Sequence, residues 1–271
     1  MQAEKNLSTP VFRWSALIFF SVGLLLFGWL ATTPAGLLGK ADAIGYAVCH
    51  RIDGRSLHLG ERALPLCVRC SGMYLGAVLG IGFQAIIGNR RSGAPARKFW
   101  LIYLLFVAAF GLDGINSYAS LFPNAPYLYE PQNALRLVTG TGMGLSIAAF
   151  LYPSFNQTVW KEMDGRPAIG TWRQLIGLFI LAAALDLIVL TENPLMLYPL
   201  ALFSAAGVLL ILTMVYTMVW LIIFKIENRF ESFHQMSLAL LGGFGFGLLQ
   251  IVFLDLLRYF LTGTWDGFHI G

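Results

Sequence analysis

Seven blocks of mainly apolar residues, each roughly 18 to 30 long, run through the chain, and nothing else in it limits the fold so tightly. A helix crossing a hydrocarbon core of ~30 Å needs about 20 residues, so each block fits one crossing. The blocks are Trp14–Ala31, Ser71–Gly88, Phe99–Ala119, Asn133–Tyr152, Trp172–Thr191, Leu195–Phe224 and Phe233–Leu261. The sixth is long enough to tilt, or to begin as an interfacial turn around Pro194 and Pro199. A β-barrel is excluded, because its strands alternate in ~10-residue segments and no such alternation occurs. Charge excludes a soluble domain: 12% of the residues are Asp, Glu, Lys or Arg, about half the usual share. Mean hydropathy is +0.70. The expected fold is all-α, a polytopic transmembrane bundle forming one integral membrane domain over residues 1–271.

Lys and Arg near span ends give the orientation. Lys5 and Arg13 precede the first span. Arg90, Arg91, Arg97 and Lys98 fill the connection between spans two and three. Lys161, Arg166 and Arg173 lie between four and five, and Lys225 and Arg229 between six and seven. The opposite connections, Ser120–Gln132 and Glu192–Pro194, contain neither residue. This pattern predicts a cytoplasmic N-terminus and an extracytoplasmic C-terminus, in the inner (plasma) membrane of a cell. The first connection breaks it with Lys40, Arg51, Arg55, Arg62 and Arg69, only partly balanced by Asp42, Asp53 and Glu61. The net charge of +4 therefore reports orientation, not a nucleic-acid partner. The first apolar block exceeds the ~7–15 residues of a signal-peptide core, so it is expected to be retained as a span.

The first connection, residues 32–70, is the longest segment outside the spans. Loops of that length are usually functional or structured in their own right. Leu37–Val48 is weakly amphipathic, suited to lying along the membrane surface. All three cysteines follow it: Cys49, next to His50, then Cys67 and Cys70 where span two begins. Both sulfurs of a CxxC pair can turn toward one point, which suits chelation or a disulfide. With Cys49 as a third thiolate and His50 or His58 as a nitrogen ligand, the set becomes the Cys₃His of tetrahedral zinc. A redox dithiol is the competing reading, since thiols at a helix N-terminus have lowered pKa and the extracytoplasmic side permits disulfides. Three unconnected cysteines are the remaining one, weakened because the rest of the chain has none.

Cys49-His50, Arg55-Ser56, Pro65-Leu66-Cys67-Val68-Arg69-Cys70-Ser71-Gly72, Asp113-Gly114 and Asn133-x-x-Arg136-x-x-x-Gly140 together form a pattern. It resembles that of a family of predicted bacterial and archaeal polytopic membrane proteins, a domain of unknown function. The resemblance covers about the first 150 residues. It implies His50 as the fourth ligand, because His58 is outside the pattern, and it implies no activity.

Ionisable groups within spans are costly and mark functional sites by default. Asp113, Arg136, Asp186, Asp255 and Arg258, with Asn133, Glu130, Glu192 and Asn193, all fall in the half of the bundle nearest the cysteines. They predict a polar pocket among spans three, four, five and seven, with Asp113 and Arg136 as partners. Asp255 with Arg258 is the second candidate pair. Glycine stripes (Gly72, Gly76 and Gly80; Gly140 and Gly144; Gly243 and Gly247) read as helix contacts. His234 and His269 are isolated. Nucleotide-binding glycine loops, HExxH and serine-nucleophile elbows are absent from the sequence.

Three functions follow. The first is a membrane protein with an extracytoplasmic zinc site over the polar pocket, acting on a solute or lipid. The second is a thiol–disulfide oxidoreductase using Cys67 and Cys70. The third is a non-catalytic subunit of a larger membrane complex. Expected partners are the lipid bilayer and either other membrane subunits or further copies of the chain.

Overall fold

The structure, a computed structural model, describes residues 15–122 and 124–265. Trp14, Lys5, Arg13 and His269 lie outside the described residues. Among those described, eight α-helices occur, and seven are long and apolar enough to cross a membrane. They are α1 (Ser15–Thr32), α3 (Val68–Ile87), α4 (Trp100–Ala119), α5 (Asn133–Val159), α6 (Trp172–Leu190), α7 (Pro194–Ile223) and α8 (Phe233–Thr262). The eighth, α2 (Leu37–Val48), lies in the first connection.

Local chemistry sets the ends. Thr171 and Gln174 form a capping box before α6, each side chain meeting the other's backbone N–H. Pro194 starts α7 where its missing N–H costs nothing, while Asn193 Oδ1 accepts from the Leu195 N–H at 3.0 Å. Pro194 and Pro199 therefore belong to one continuous helix, with no separate interfacial turn. Two expected boundaries move. Helix α3 begins at Val68, three residues before Ser71, with Cys67 in front of it. Helix α5 runs through Pro153 to Val159, beyond Tyr152, because the polar residues there find partners. Asn156 Nδ2 donates to the Arg91 carbonyl at 2.9 Å, and Trp160 Nε1 donates to Asn156 Oδ1 at 3.0 Å.

The glycine stripes of α3 and α5 are two faces of one contact. A Cβ on Gly72 would stand 2.5 Å from the Leu137 carbonyl oxygen, and one on Gly76 2.6 Å from that of Thr141. Gly140 and Gly144 close in the same way on the carbonyls of Arg69 and Met73. Partner positions rise together along both helices, so the two run parallel. The N-terminal turn of α3, with its cysteines, therefore stands beside the N-terminal turn of α5, with Asn133 and Arg136. Gly243 makes the corresponding approach of α8 to α7, at Thr217 and Thr213.

The basic connections meet at one end of the bundle. Strand β3 (Arg91–Gly93) pairs in parallel with β4 (Asp164–Pro167), Lys161 pairs with Glu231 at 2.5 Å, and Arg90 Nη2 donates to the Glu231 carbonyl at 2.7 Å. The first connection closes the other end. Its helix α2 does not rest on an outer surface: Ala41, Ala43, Ile44 and Tyr46 are buried in it, and it packs on α7 and α8. Small residues permit this approach, and at Gly45 a Cβ would meet the Pro65 carbonyl. A short hairpin, β1 (His58–Leu59) with β2 (Arg62–Ala63), follows.

The cations of this connection all have partners within the fold, which explains why they breach the charge pattern. Lys40 Nζ donates to Thr33 O at 3.0 Å and Thr33 Oγ1 at 2.8 Å. Arg51 pairs with Asp42 at 3.0 Å, and Arg62 pairs with the other oxygen of Asp42. Arg55 and Arg69 are engaged deeper in the fold.

Candidate metal centre and the polar end of the bundle

Three separate backbone features bring the cysteines together. Cys49 terminates α2 in extended conformation (φ −133°, ψ 145°). Cys67 stands just before α3 (φ −63°, ψ 160°), and Cys70 sits in its first turn. The three sulfurs lie within 4.8 Å of one another, with Cys49 and Cys67 buried and Cys70 half-buried. A tetrahedral zinc with Zn–S bonds of about 2.3 Å holds its sulfurs about 3.8 Å apart, so small side-chain rotations suffice. All three are free thiols.

The surroundings favour a thiolate at Cys49. The Cys67 backbone N–H donates to Cys49 Sγ at 3.2 Å. Cys49 is held well below the ordinary thiol range, first by the hydrogen bond from Cys67 and then by that from Cys70. Cys67 is pushed up to about 12, first by its hydrogen bond to Cys49. A cation entering the cluster would displace the protons that remain on the sulfurs. Trp29, Ile44, Leu66, Val208, Leu248 and Ile251 surround the site with apolar contacts.

His50, expected as the fourth ligand, does not join the sulfur group. It follows Cys49 along extended backbone, where successive side chains point to opposite sides. Its Nδ1 accepts the Ile52 N–H at 3.1 Å, and burial pulls its pKa below the ordinary value. His58, the alternative, is on the hairpin with Nε2 2.9 Å from Asp53 Oδ1. His234 is exposed at the opposite end of the chain's last span.

A second polar centre stands beside the cysteines. Asp113 on α4 is buried, and its carboxylate pairs with Arg69, whose Nε donates to Oδ2 at 3.0 Å. Tyr129 OH donates to Asp113 Oδ1 at 2.8 Å, and Thr139 Oγ1 is 3.4 Å from Oδ2. The expected Asp113–Arg136 pairing is therefore replaced. Arg136 donates instead to Asn133 Oδ1 at 2.8 Å and Ser117 Oγ at 3.2 Å. Arg69 reaches Asp113 because the glycine contact seats the first turn of α3 against α5, which also packs on α4. Arg69, Ser117 and Tyr129 were missing from the sequence-based pocket. A cation within CxxC at the start of a span was the available signal, since it demands a nearby anion.

The remaining candidates lie elsewhere. Asp186 on α6 accepts a 2.6 Å hydrogen bond from Thr141 Oγ1. Thr139 and Thr141 are two residues apart on α5 and point about 200° apart, so Asp186 and Asp113 flank different faces of that helix. Asp255 faces a cleft of about 430 Å³ between α1 and α8, lined also by Trp29 and Trp265. Its Oδ1 has no hydrogen-bond partner among the described residues. Arg258 holds the end of α2: Nη1 donates to the carbonyls of Tyr46 at 2.6 Å and Cys49 at 2.5 Å. Its guanidinium also lies 4.1 Å from the centre of the Tyr46 ring. The expected single pocket is thus three places, and only Asp113, Asn133 and Arg136 share one. Glu130 is bound by Tyr127 OH at 2.6 Å, and Asn193 serves as the α7 cap.

Residues 49–150 match the family described as predicted membrane protein (DUF2085). That stretch holds all three cysteines, Arg55, Arg69, Asp113 and Arg136, while Asp186, Asp255 and Arg258 lie beyond it. An uncharacterised protein of Methanocaldococcus jannaschii is 26% identical over 120 residues, covering 44% of this chain and 71% of that protein. An uncharacterised protein of Methanothermobacter thermautotrophicus is 30% identical over 101 residues, covering 37% of this chain and 81% of that protein. No solved structure matches. With its seven apolar helices and its cysteine-to-α5 segment matched, the chain belongs to this family of predicted membrane proteins.

Proposed function

We propose that this is a plasma-membrane protein whose cysteine-bearing end faces outward and binds one zinc ion through Cys49, Cys67 and Cys70. The convergence of three buried and half-buried thiols within 4.8 Å carries the reading. Thiolate sulfur suits zinc better than the hard divalent ions. Bound there, zinc would supply a Lewis-acid centre and a cross-link from the end of α2 to the start of α3. With three protein ligands, the fourth position is left to water or a ligand from the adjoining polar centre. Elemental analysis of the purified protein, paired with a free-thiol count, tests this. One zinc per chain with thiols titratable only after chelation is the expected result. Metal-free protein with a Cys67–Cys70 disulfide would establish the oxidoreductase reading instead.

The outward orientation rests on the basic connections gathering at the opposite end of the bundle. In a cysteine-free background, a cysteine replacing Ser92 should be shielded from impermeant thiol reagents in intact cells, while one replacing Ala125 should react. The reverse pattern would place the metal site in the cytoplasm.

A further inference from the structure

Ser117 on α4 is fully buried, yet guanidinium groups from three other elements converge on it. Arg55, in the turn after α2, donates through Nη2 to the Ser117 carbonyl. Arg69, in the first turn of α3, donates to Ser117 Oγ at 2.8 Å. Arg136, in the first turn of α5, donates to the same oxygen at 3.2 Å. Arg55 is 8% exposed and Arg136 6%. Like charges gathered out of water are costly unless an anion compensates them. Within the cluster the compensation is incomplete. Asp113 is its one carboxylate, and it is taken by Arg69. Among the described residues neither Arg55 nor Arg136 forms an ion pair.

Three guanidinium charges against one carboxylate leave an excess of two. A zinc held by three thiolates would carry one negative charge beside them, leaving an excess of one. Arg69 is committed to α4 through Asp113 and Ser117. Arg55 and Arg136 retain N–H groups with no protein partner among the described residues, and none of their nitrogens is sealed from solvent without one. A planar fork with free N–H groups matches tetrahedral oxyanions two bonds at a time. A phosphate group has the charge, the acceptor count and the shape.

We propose that Arg55 and Arg136, backed by Arg69, bind a phosphate group, carried on a lipid headgroup or on a soluble molecule. This extends the polar centre of the preceding reading and does not depend on zinc.

The test uses the purified full-length protein in phosphate-free detergent. Its thermal unfolding is followed with inorganic phosphate, with phosphatidic acid (a monoester lipid) and with phosphatidylcholine. Chloride at equal ionic strength removes general screening effects. A saturating phosphate-bearing ligand should raise Tm by roughly 5–10 °C. Stabilisation by inorganic phosphate and phosphatidic acid alike identifies the phosphate group itself, while stabilisation by phosphatidic acid alone identifies a lipid headgroup. Arg136→Lys and Arg55→Gln should each weaken binding about 10–100-fold. Arg51→Gln, at a residue paired with Asp42 outside the cluster, should leave it unchanged. Absence of any shift in the wild-type protein overturns the proposal, even where a variant fails to fold. So does an equal shift in Arg55→Gln and Arg136→Lys. A zinc-free protein that still responds to phosphate would refute the metal reading alone.

Discussion

Replacing Cys67 by serine should take bound metal from one per chain to almost none and lower stability by ~3 kcal/mol or more, at the upper end of single-substitution effects. The size follows from the position. Cys67 precedes α3 and its backbone N–H holds Cys49 Sγ, so the metal ties the end of α2 to the start of a central span. Binding energy at such a site is folding energy, because the unfolded chain has no preformed site. The measurement is thermal unfolding in detergent with and without a strong chelator. Chelated wild type should fall to the level of Cys67→Ser, and the variant should not respond to chelator. A variant that keeps wild-type stability and metal content would remove Cys67 from the site.

The Asp113–Arg69 pair should give the second large effect. The Asp113 side chain is 1% exposed and that of Arg69 13%, and removing one member of such a pair costs about 3–5 kcal/mol. Asp113→Asn should be the more severe, since it takes the only carboxylate from a cluster of three guanidinium groups. The double variant with Arg69→Gln should recover about 1–3 kcal/mol relative to additivity. In the corresponding cycle, Arg136→Gln should show weaker coupling to Asp113, because its contacts are Ser117 and Asn133. Stronger coupling to Arg136 than to Arg69 would reverse the pairing. Melting temperatures of the five variants decide it.

The amino-acid sequence by itself determined the membrane class, the seven spans, the amphipathic α2 and the CxxC pair at the start of α3, while the fold brought Cys49 to that pair. Each depends on local chemistry: apolar length, helical periodicity, or the spacing of a CxxC pair. The boundary errors have a common reason. Hydropathy stops at Tyr152, while the helix continues to where Asn156 bonds the Arg91 carbonyl from another connection and Trp160 bonds Asn156 in turn. The same holds for charge. Arg55 and Arg69 looked like a breach of the orientation pattern because their partners are 62 and 44 residues away in sequence. Asp113 was identified as a buried acid, but its partner depends on which side chains the fold brings to α4, and the close approach of α3 to α5 through Gly72, Gly76, Gly140 and Gly144 carries Arg69 there. Nor could spacing settle the fourth metal ligand. In the structure His50 stands outside the group of three sulfurs, with its Nδ1 taken by the Ile52 N–H, while Arg258, more than 200 positions further along, holds the Cys49 carbonyl.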